Sequence, residues 1–217
     1  MRNSLILGIL WVGLALYAFV FAPPDQPDTL ELITKLSGGQ WDGINPVIIS
    51  LFNLMGVWPI IYTSLMLIDG RGQKIPAWPF ASLSFAVGAF AILPYLIFRE
   101  PGASFTGEKN WVLKLWDSRF VGLITFLGGL ALILYGIFRG DWADFLTQWQ
   151  TSRFINVMSL DFCALTLLVP ILIKDDMEKR GLKNPLLLWI VSLIPVLGPA
   201  SYIIIRPSLI STKPSSP

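Results

Sequence analysis

Asp161 is a carboxylate inside a long apolar stretch, NVMSLDFCALTLLVP, which covers residues 156–170. An ionised side chain deep within a membrane helix costs a few kcal/mol unless it is paired, protonated or in contact with water. Such an acid suits two kinds of chemistry, transport of a solute or ion and protonation of an apolar substrate. A structural interpretation is also open, in which Asp161 pairs with one arginine or tyrosine and holds two helices together.

The polar side chains around Asp161 divide between two faces of one helix. At about 100° per residue, Asn156, Ser159 and Thr166 fall on one arc, whereas Asp161 points to the other side. A comparison of the two halves of the chain places Asn53 near the position that corresponds to Asp161. We therefore predict a candidate buried polar site made of Asp161, Asn53, Asn156, Ser159 and Thr166.

Two similar motifs at the ends of apolar segments supply candidate partners for a buried acid. They are YLIFREP and YIIIRPS, and each has a tyrosine and an arginine one helical turn apart. Tyr95, Arg99, Tyr202 and Arg206 are therefore the predicted partners at helix ends. The two arginines could extend to Asp161 only if their helices pack beside its helix.

Six apolar segments position these residues, and each is long enough to cross a bilayer. A hydrocarbon core about 30 Å thick needs roughly 20 apolar residues in a helix. Of the 217 residues, 54% are hydrophobic and 14% are charged, which indicates an all-α polytopic membrane protein. The first segment is interpreted as a retained helix rather than a signal peptide, because two prolines follow it at once. The predicted spans are residues 4–22, 46–68, 77–98, 120–138, 154–173 and 185–205.

The six spans divide into two sets of three with matching features in the same order. The predicted first repeat covers 1–101 and the second covers 117–207, with a linker loop at 102–116 and a disordered tail at 208–217. In each repeat, a short segment typical of an interfacial helix follows the first span. Because three crossings reverse the direction of the chain, the sequence predicts two inverted repeats in one six-helix bundle.

The third span of each predicted repeat contains residues that interrupt helices. They are Gly88 and Pro94 in the first repeat, and Pro195, Gly198 and Pro199 in the second. Interruptions at matching places in two halves are typical of a transport site. The other interpretation is that these prolines only bend their helices, as prolines in membrane helices often do.

The composition excludes several kinds of site. The chain has no histidine and one cysteine, so no haem or zinc site of the usual kind and no Ser-His-Asp triad is expected. Its net charge of +2 gives no basic patch, and nucleic acid is not an expected partner. We predict no metal and no cofactor, and the lipid bilayer is the expected partner.

Four motifs carry a resemblance to a known family. APPDQPDT, GQWDGINP, FNLMGVWPIIY and DGRGQKIPAWPF, in this order, resemble an uncharacterised integral membrane protein family of cyanobacteria and plastids. The resemblance implies a location, the cyanobacterial thylakoid or plasma membrane, and it implies no mechanism. In the second half, DMEKRG and a last helix ending in IIIRP are similar to a domain of unknown function shared with membrane terpene cyclases.

Three functions follow from these features, and the sequence favours them in this order. The first is a non-catalytic auxiliary, assembly or interaction factor of photosynthetic membrane complexes, favoured by the short loops and the lack of catalytic residues. The second is a small-solute or ion transporter built from inverted repeats, favoured by Asp161 and the interrupted helices. The third is a membrane-embedded enzyme acting on an apolar isoprenoid-like substrate with Asp161 as the acid, for which no second carboxylate lies at matching depth.

Overall fold

The fold is a bundle of α-helices. A computed structural model of the chain describes residues 2–103, 105 and 107–209. Within these residues every regular element is helical, and α1 continues into a π-helical turn, Tyr17–Phe21. The α-helices of this part of the chain are α1 (Arg2–Leu16), α2 (Thr29–Ser37), α3 (Pro46–Asp69), α4 (Trp78–Val87), α5 (Ala89–Phe98), α6 (Trp111–Trp116), α7 (Arg119–Arg139), α8 (Trp142–Thr151), α9 (Arg153–Lys179), α10 (Pro185–Leu193) and α11 (Leu197–Ile205).

Four helical segments of the described chain are long and apolar enough to cross a membrane. They are Ser4–Phe21, Pro46–Gly72, Arg119–Arg139 and Arg153–Lys179. In the second and fourth, 61% and 50% of the most apolar window is buried, against 6% and 22% in the first and third. The helices α3 and α9 therefore form the centre of the bundle, with α1 and α7 at its periphery. These lengths and compositions indicate an integral membrane protein.

The helices α4 and α5 form a hairpin that enters the bundle and returns to the end where it started. Gly88 separates them with φ 51° and ψ −125°, a conformation that L side chains rarely adopt. The chain reverses there, so the ring centroids of Phe80 and Tyr95 lie 5.8 Å apart. Each arm has 10 residues, which is about 15 Å and half the thickness of a hydrocarbon core. We call this element the first hairpin.

The helices α10 and α11 form a second hairpin. Its break includes Val196, which has a φ of 64° and is the only non-glycine residue with positive φ in the described part of the chain. After the break, Gly198 lies against the carbonyl group of Val191, where a Cβ atom would overlap the backbone of α10. At the open end, Arg180 after α9 donates a hydrogen bond to the carbonyl oxygen of Pro207 after α11. The chain therefore returns to the point where α9 ends.

Both hairpins enter from the same end of the bundle. We call it the Asp69 end, because α3 finishes there, and we call the opposite end the Asn45 end. Nζ of Lys179, the last residue of α9, lies 2.8 Å from the Asp69 carboxylate. At the Asn45 end, the side-chain amide of Asn45 donates to the Asp144 carboxylate in α8. The helices α3 and α9 therefore run in the same direction.

The two hairpins correct the predicted number and direction of crossings. The predicted spans 77–98 and 185–205 each contain a hairpin, because the backbone at each break reverses the chain instead of bending it. Each half then has two long apolar helices, and an even number of crossings does not invert the second half. The predicted six spans and inverted repeats are therefore not confirmed, because α3 and α9 run in the same direction.

The peripheral helix α7 packs more closely on its neighbours than α1 does. Three glycines on one face, Gly122, Gly129 and Gly136, would each bring an added Cβ atom within 2.9 Å of α11, of Val196 or of α3. A Cβ atom at Gly8 in α1 would meet nothing within 4 Å. Small residues let helix backbones approach closely in membranes, so α7 is fixed against the bundle along this face.

The shorter helices occupy the remaining predicted segments. The two segments predicted to be interfacial form α2 and α8, and α6 lies within the predicted linker 102–116. Asn110 caps the N-terminus of α6, because its side chain accepts a hydrogen bond from the backbone N–H of Leu113. The predicted disordered tail, 208–217, lies outside the described residues from position 210 onward.

Candidate functional site

A cavity lies between the tip of the first hairpin and the first half of α9, and we call it the larger cavity to distinguish it from a smaller one described below. Its volume is about 640 Å³. Residues 84–88 at the hairpin tip, the π-helical turn after α1, and α3 around Gly56 complete its wall. Asp25 and Arg153 line it at the Asn45 end, where Asp25 is exposed to solvent. The larger cavity therefore reaches the Asn45 end of the bundle, and it is also open at its side, where Phe19 and Phe85 are exposed.

Asp161 lies at the inner end of the larger cavity. The side chain is 5% exposed, and its Oδ1 accepts a hydrogen bond of 2.8 Å from the backbone N–H of Ala89, the first residue of α5. The first N–H groups of a helix have no acceptor within the helix, so the carboxylate acts as a cap from a neighbouring helix. Among the described residues, the hydrogen-bond partner of Asp161 is therefore a helix N-terminus, and not the side chain of an arginine or a tyrosine.

The same carboxylate leaves no room for a side chain at the hairpin tip. A Cβ atom at Gly88 would overlap the Asp161 carboxylate, and the positive φ of Gly88 also disfavours any L side chain. Glycine at position 88 thus serves both the reversal of the chain and the close approach of the acid to α5.

Two charged residues lie at the mouth of the larger cavity. Nε of Arg153 donates to the carbonyl oxygen of Pro23 at 3.0 Å, and the Asp25 carboxylate accepts from the Thr29 hydroxyl at 3.0 Å. Arg153 precedes Asp161 by eight positions in α9, which is about 12 Å along the helix axis. Among the described residues, Asp161 forms no ion pair with a lysine or an arginine.

A smaller cavity of about 480 Å³ lies at the break of the second hairpin. Many of its lining residues follow a residue of the larger cavity by 107 positions, as Pro195 follows Gly88 and Cys163 follows Gly56. At this offset, the residue that corresponds to Asp161 is Leu54, which lines the smaller cavity. The two cavities therefore have similar walls, and only the larger one has a carboxylate at its inner end.

The structure separates the five residues of the predicted polar site. Asn53 donates to the carbonyl oxygen of Ile49 in its own helix, and Thr166 donates to a carbonyl oxygen of α9 in the same way. Neither residue lines the larger or the smaller cavity. Ser159 lines the smaller cavity. Asn156 is buried and joins α9 to the Tyr17 hydroxyl near α1. Of the five, Asp161 alone lies in the larger cavity.

The predicted partners Tyr95 and Arg99 belong to a different group, which we call the first ionic cluster. Nη1 of Arg99 lies 3.1 Å from the Asp69 carboxylate and 2.6 Å from that of Asp175. The Tyr95 hydroxyl donates to Asp69 at 2.6 Å, and Lys179 pairs with the same carboxylate. All five side chains are buried, and they join α3, α5 and α9 at the Asp69 end.

The predicted partners Tyr202 and Arg206 belong to another group, which also contains Asp176, Arg180 and Asp117 and which we call the second ionic cluster. The Tyr202 hydroxyl donates to the Asp176 carboxylate at 2.7 Å, and Arg206 lies 3.3 Å from it. Arg180 also contacts Asp176, at 2.7 Å, and pairs with Asp117 between α6 and α7. Burial alone would lower the pKa of the Arg180 guanidinium, but the two carboxylates hold that pKa above its ordinary value.

Sequence reasoning missed the acids at the centre of both clusters. Asp69 and Asp176 are not among the predicted site residues, but each is followed after 26 residues by its tyrosine and after 30 by its arginine. This shared spacing was the available signal. The first cluster pairs two carboxylates with two cations, and in the second Lys109 joins the two arginines on two carboxylates. We therefore interpret both clusters as structural links rather than as reactive sites. No group of three potential metal ligands occurs in the described part of the chain.

Comparisons with known proteins do not show a family for the chain. No protein-family model matches it, and no solved structure matches it significantly. A stretch of 106 residues is 24% identical to the calpain-type cysteine protease DEK1 of Arabidopsis thaliana. The match covers 44% of this chain and 5% of the length of that protein. It is therefore a local similarity to a small part of a much longer protein.

Proposed function

We propose that the protein is a membrane transporter for a small, largely apolar solute, with the larger cavity as its binding site. One observation carries the proposal: the break at Gly88, the N-terminus of α5 and the Asp161 carboxylate meet at the inner end of this cavity. Within a membrane, irregular backbone is tolerated where protein buries it or where it lines a cavity. Half-helix N-termini at mid-depth are typical of transporter sites.

We also propose that the two halves are repeats related by rotation about an axis along the bundle. The offset of 107 residues joins the two ionic clusters, the two hairpin breaks and the two cavities, which supports this relation. Parallel repeats of this kind occur in transporters as well as inverted ones. Rocking of one half against the other would then close one end of the larger cavity and open the other.

Access of the cavity from both faces of the membrane tests the transport proposal. Gly56 lines the larger cavity and has nothing within 4 Å of an added Cβ atom, so Gly56→Cys places a thiol there without a clash. Combined with Cys163→Ser, it gives a single-cysteine protein. We expect a membrane-impermeant methanethiosulfonate to label this thiol both in intact cells and in inverted vesicles.

Two exposed lysines provide the matched controls for this measurement. In the same cysteine-free background, Lys35→Cys on α2 and Lys74→Cys after α3 mark the Asn45 end and the Asp69 end. Each should react from one face only, and the two faces should differ. Labelling of Gly56→Cys from a single face would contradict transport and would leave a dead-end binding pocket.

The prediction of an auxiliary factor in photosynthetic membranes remains a prediction from the sequence. Native purification followed by mass spectrometry tests it, because stoichiometric co-purification with a photosynthetic complex supports association and a chain that runs alone counts against it. The predicted enzyme is less well supported by the geometry, since the larger cavity has one carboxylate at its inner end and Asp25 lies at its mouth. We do not extend protease activity to this chain, because it has no histidine to activate Cys163.

A further inference from the structure

We propose that the solute bound in the larger cavity is an amphiphilic organic cation, with its apolar body against the wall and its positive charge at Asp161. This inference deepens the proposed transport function, because it names the class of molecule that the same site would take.

The wall of the larger cavity suits an apolar cation. It is mostly hydrophobic, and the phenylalanines on it are Phe19, Phe52, Phe85, Phe90 and Phe154. The faces of aromatic rings attract cations, and more strongly where water is excluded. Met55 and Met158 also line the cavity, and flexible thioether side chains adapt to ligands of different shape. A volume of about 640 Å³ lies within the range of cavities that hold small organic molecules.

The inner end of the larger cavity has an acid that pairs with no lysine or arginine among the described residues. The buried acids Asp69, Asp117, Asp175 and Asp176 each pair with arginine or lysine, whereas Asp161 has only the Ala89 N–H as its partner among the described residues. A buried carboxylate is costly until a cation or a proton neutralises it. A cationic ligand would therefore gain from this position, and an anionic one would be repelled.

The smaller cavity shows which residue makes the difference. Leu54 stands there in place of Asp161, so the chain presents two similar apolar cavities of which only one is charged at its inner end. Charge selectivity should therefore belong to the larger cavity and should depend on one side chain.

Asp161→Asn separates the binding role of this residue from its structural role. The asparagine oxygen can still accept from the Ala89 N–H, so the cap on α5 is kept while the charge is removed. The control is Glu31→Gln, which removes one negative charge from the exposed surface of α2.

Two probes matched in size and opposite in charge test the inference. Binding of tetraphenylphosphonium and of tetraphenylborate to the purified full chain in lipid nanodiscs is measured by equilibrium dialysis. We expect saturable binding of the cation with one site per chain, unchanged in Glu31→Gln and weakened about tenfold or more in Asp161→Asn. We expect no saturable binding of the anion.

Three outcomes would overturn the inference. They are saturable binding of both ions with similar affinity, cation binding that Asp161→Asn leaves unchanged, and no cation binding by wild-type protein whose thermal unfolding is cooperative. These outcomes are independent of the thiol-labelling result. Labelling from both faces without cation binding would support transport and overturn the cation as the solute. Asp161-dependent cation binding with labelling from one face would support the cation site and overturn transport.

Discussion

At the level of residues, the buried acids of this protein differ in how their charge is neutralised. Asp69 and Asp176 lie near the ends of α3 and α9, and each contacts a tyrosine and at least two basic side chains. Removal of one partner from a buried ion pair leaves an uncompensated charge and is strongly destabilising. Asp161 has one backbone amide instead, which leaves its charge available to the larger cavity.

We expect Asp176→Asn to lower the free energy of unfolding by about 3 kcal/mol, because Arg180 and Arg206 would lose their shared carboxylate while Asp117 remains. Unfolding in mixed micelles with increasing denaturing detergent measures the change. Glu31→Gln breaks an exposed pair with Lys35 and should leave stability unchanged. Equal effects of the two variants would show that the second ionic cluster does not stabilise the fold.

A second residue prediction concerns the contact between Gly88 and Asp161. Gly88→Ala should destabilise the protein by more than the roughly 1 kcal/mol expected of alanine at positive φ, because the new methyl group also overlaps the carboxylate. Gly43→Ala is the control, since Gly43 has a φ of 77° and open space around its Cβ position. In a double-mutant cycle, Asp161→Ala should recover part of the loss. Additive effects of the two substitutions would contradict the contact.

At the level of elements, the half-length hairpins depend on what packs behind their tips. The first break is held by Asp161 from α9, and the second lies against the glycine face of α7. A helix of 10 residues is too short to cross a bilayer alone, so the tips must be covered by protein within the membrane. Packing of the long helices therefore decides whether the hairpins are stable.

Two adjacent glycines in α7 allow a matched test of this packing. A Cβ atom at Gly129 would lie 2.8 Å from the Val196 side chain, whereas one at Gly128 would meet nothing within 4 Å. We expect Gly129→Leu to cost about 1–3 kcal/mol through overpacking, with a lower melting temperature in detergent. Gly128→Leu, which changes helix propensity equally, should melt close to wild type. If both variants melt alike, α7 does not pack on the second hairpin in this way.

At the level of the whole molecule, four crossings by the four candidate spans would place every connection at the Asp69 end on one face of the membrane. The connections between α3 and α4, between α5 and α7, and between α9 and α10 all belong to this end. Six crossings would place the first of these on the face opposite to the other two. The two topologies therefore differ in an accessible property of the intact protein.

Labelling of engineered cysteines distinguishes these topologies. With Cys163 replaced by serine, Lys74→Cys, Lys114→Cys and Lys183→Cys should react with an impermeant thiol reagent from the same face, because all three residues are exposed near the Asp69 end. Lys35→Cys should react from the opposite face. Labelling of Lys74→Cys opposite to the other two connections would support six crossings and would exclude the hairpins.

The sequence by itself determined the elements of this protein and the places where they stop. Apolar length predicts the four long helices, and glycine and proline mark the interruptions at Gly88 and near Pro195. The periodicity of α9 also separates Asp161 from Ser159, which line different cavities. These properties are local, since each depends on residues within a few helical turns.

Only the tertiary structure decided where the chain goes after each interruption and which acid meets which base. The residues at a break do not determine whether the next helix continues or reverses. The contacts of Asp69 with Arg99 and of Asp176 with Arg206 show that the chain reverses in both hairpins. Likewise, the hydrogen-bond partner of Asp161 is a backbone amide, and any residue except proline could supply one at position 89. Such contacts join residues far apart in the chain, so they depend on how the helices pack and not on local pattern.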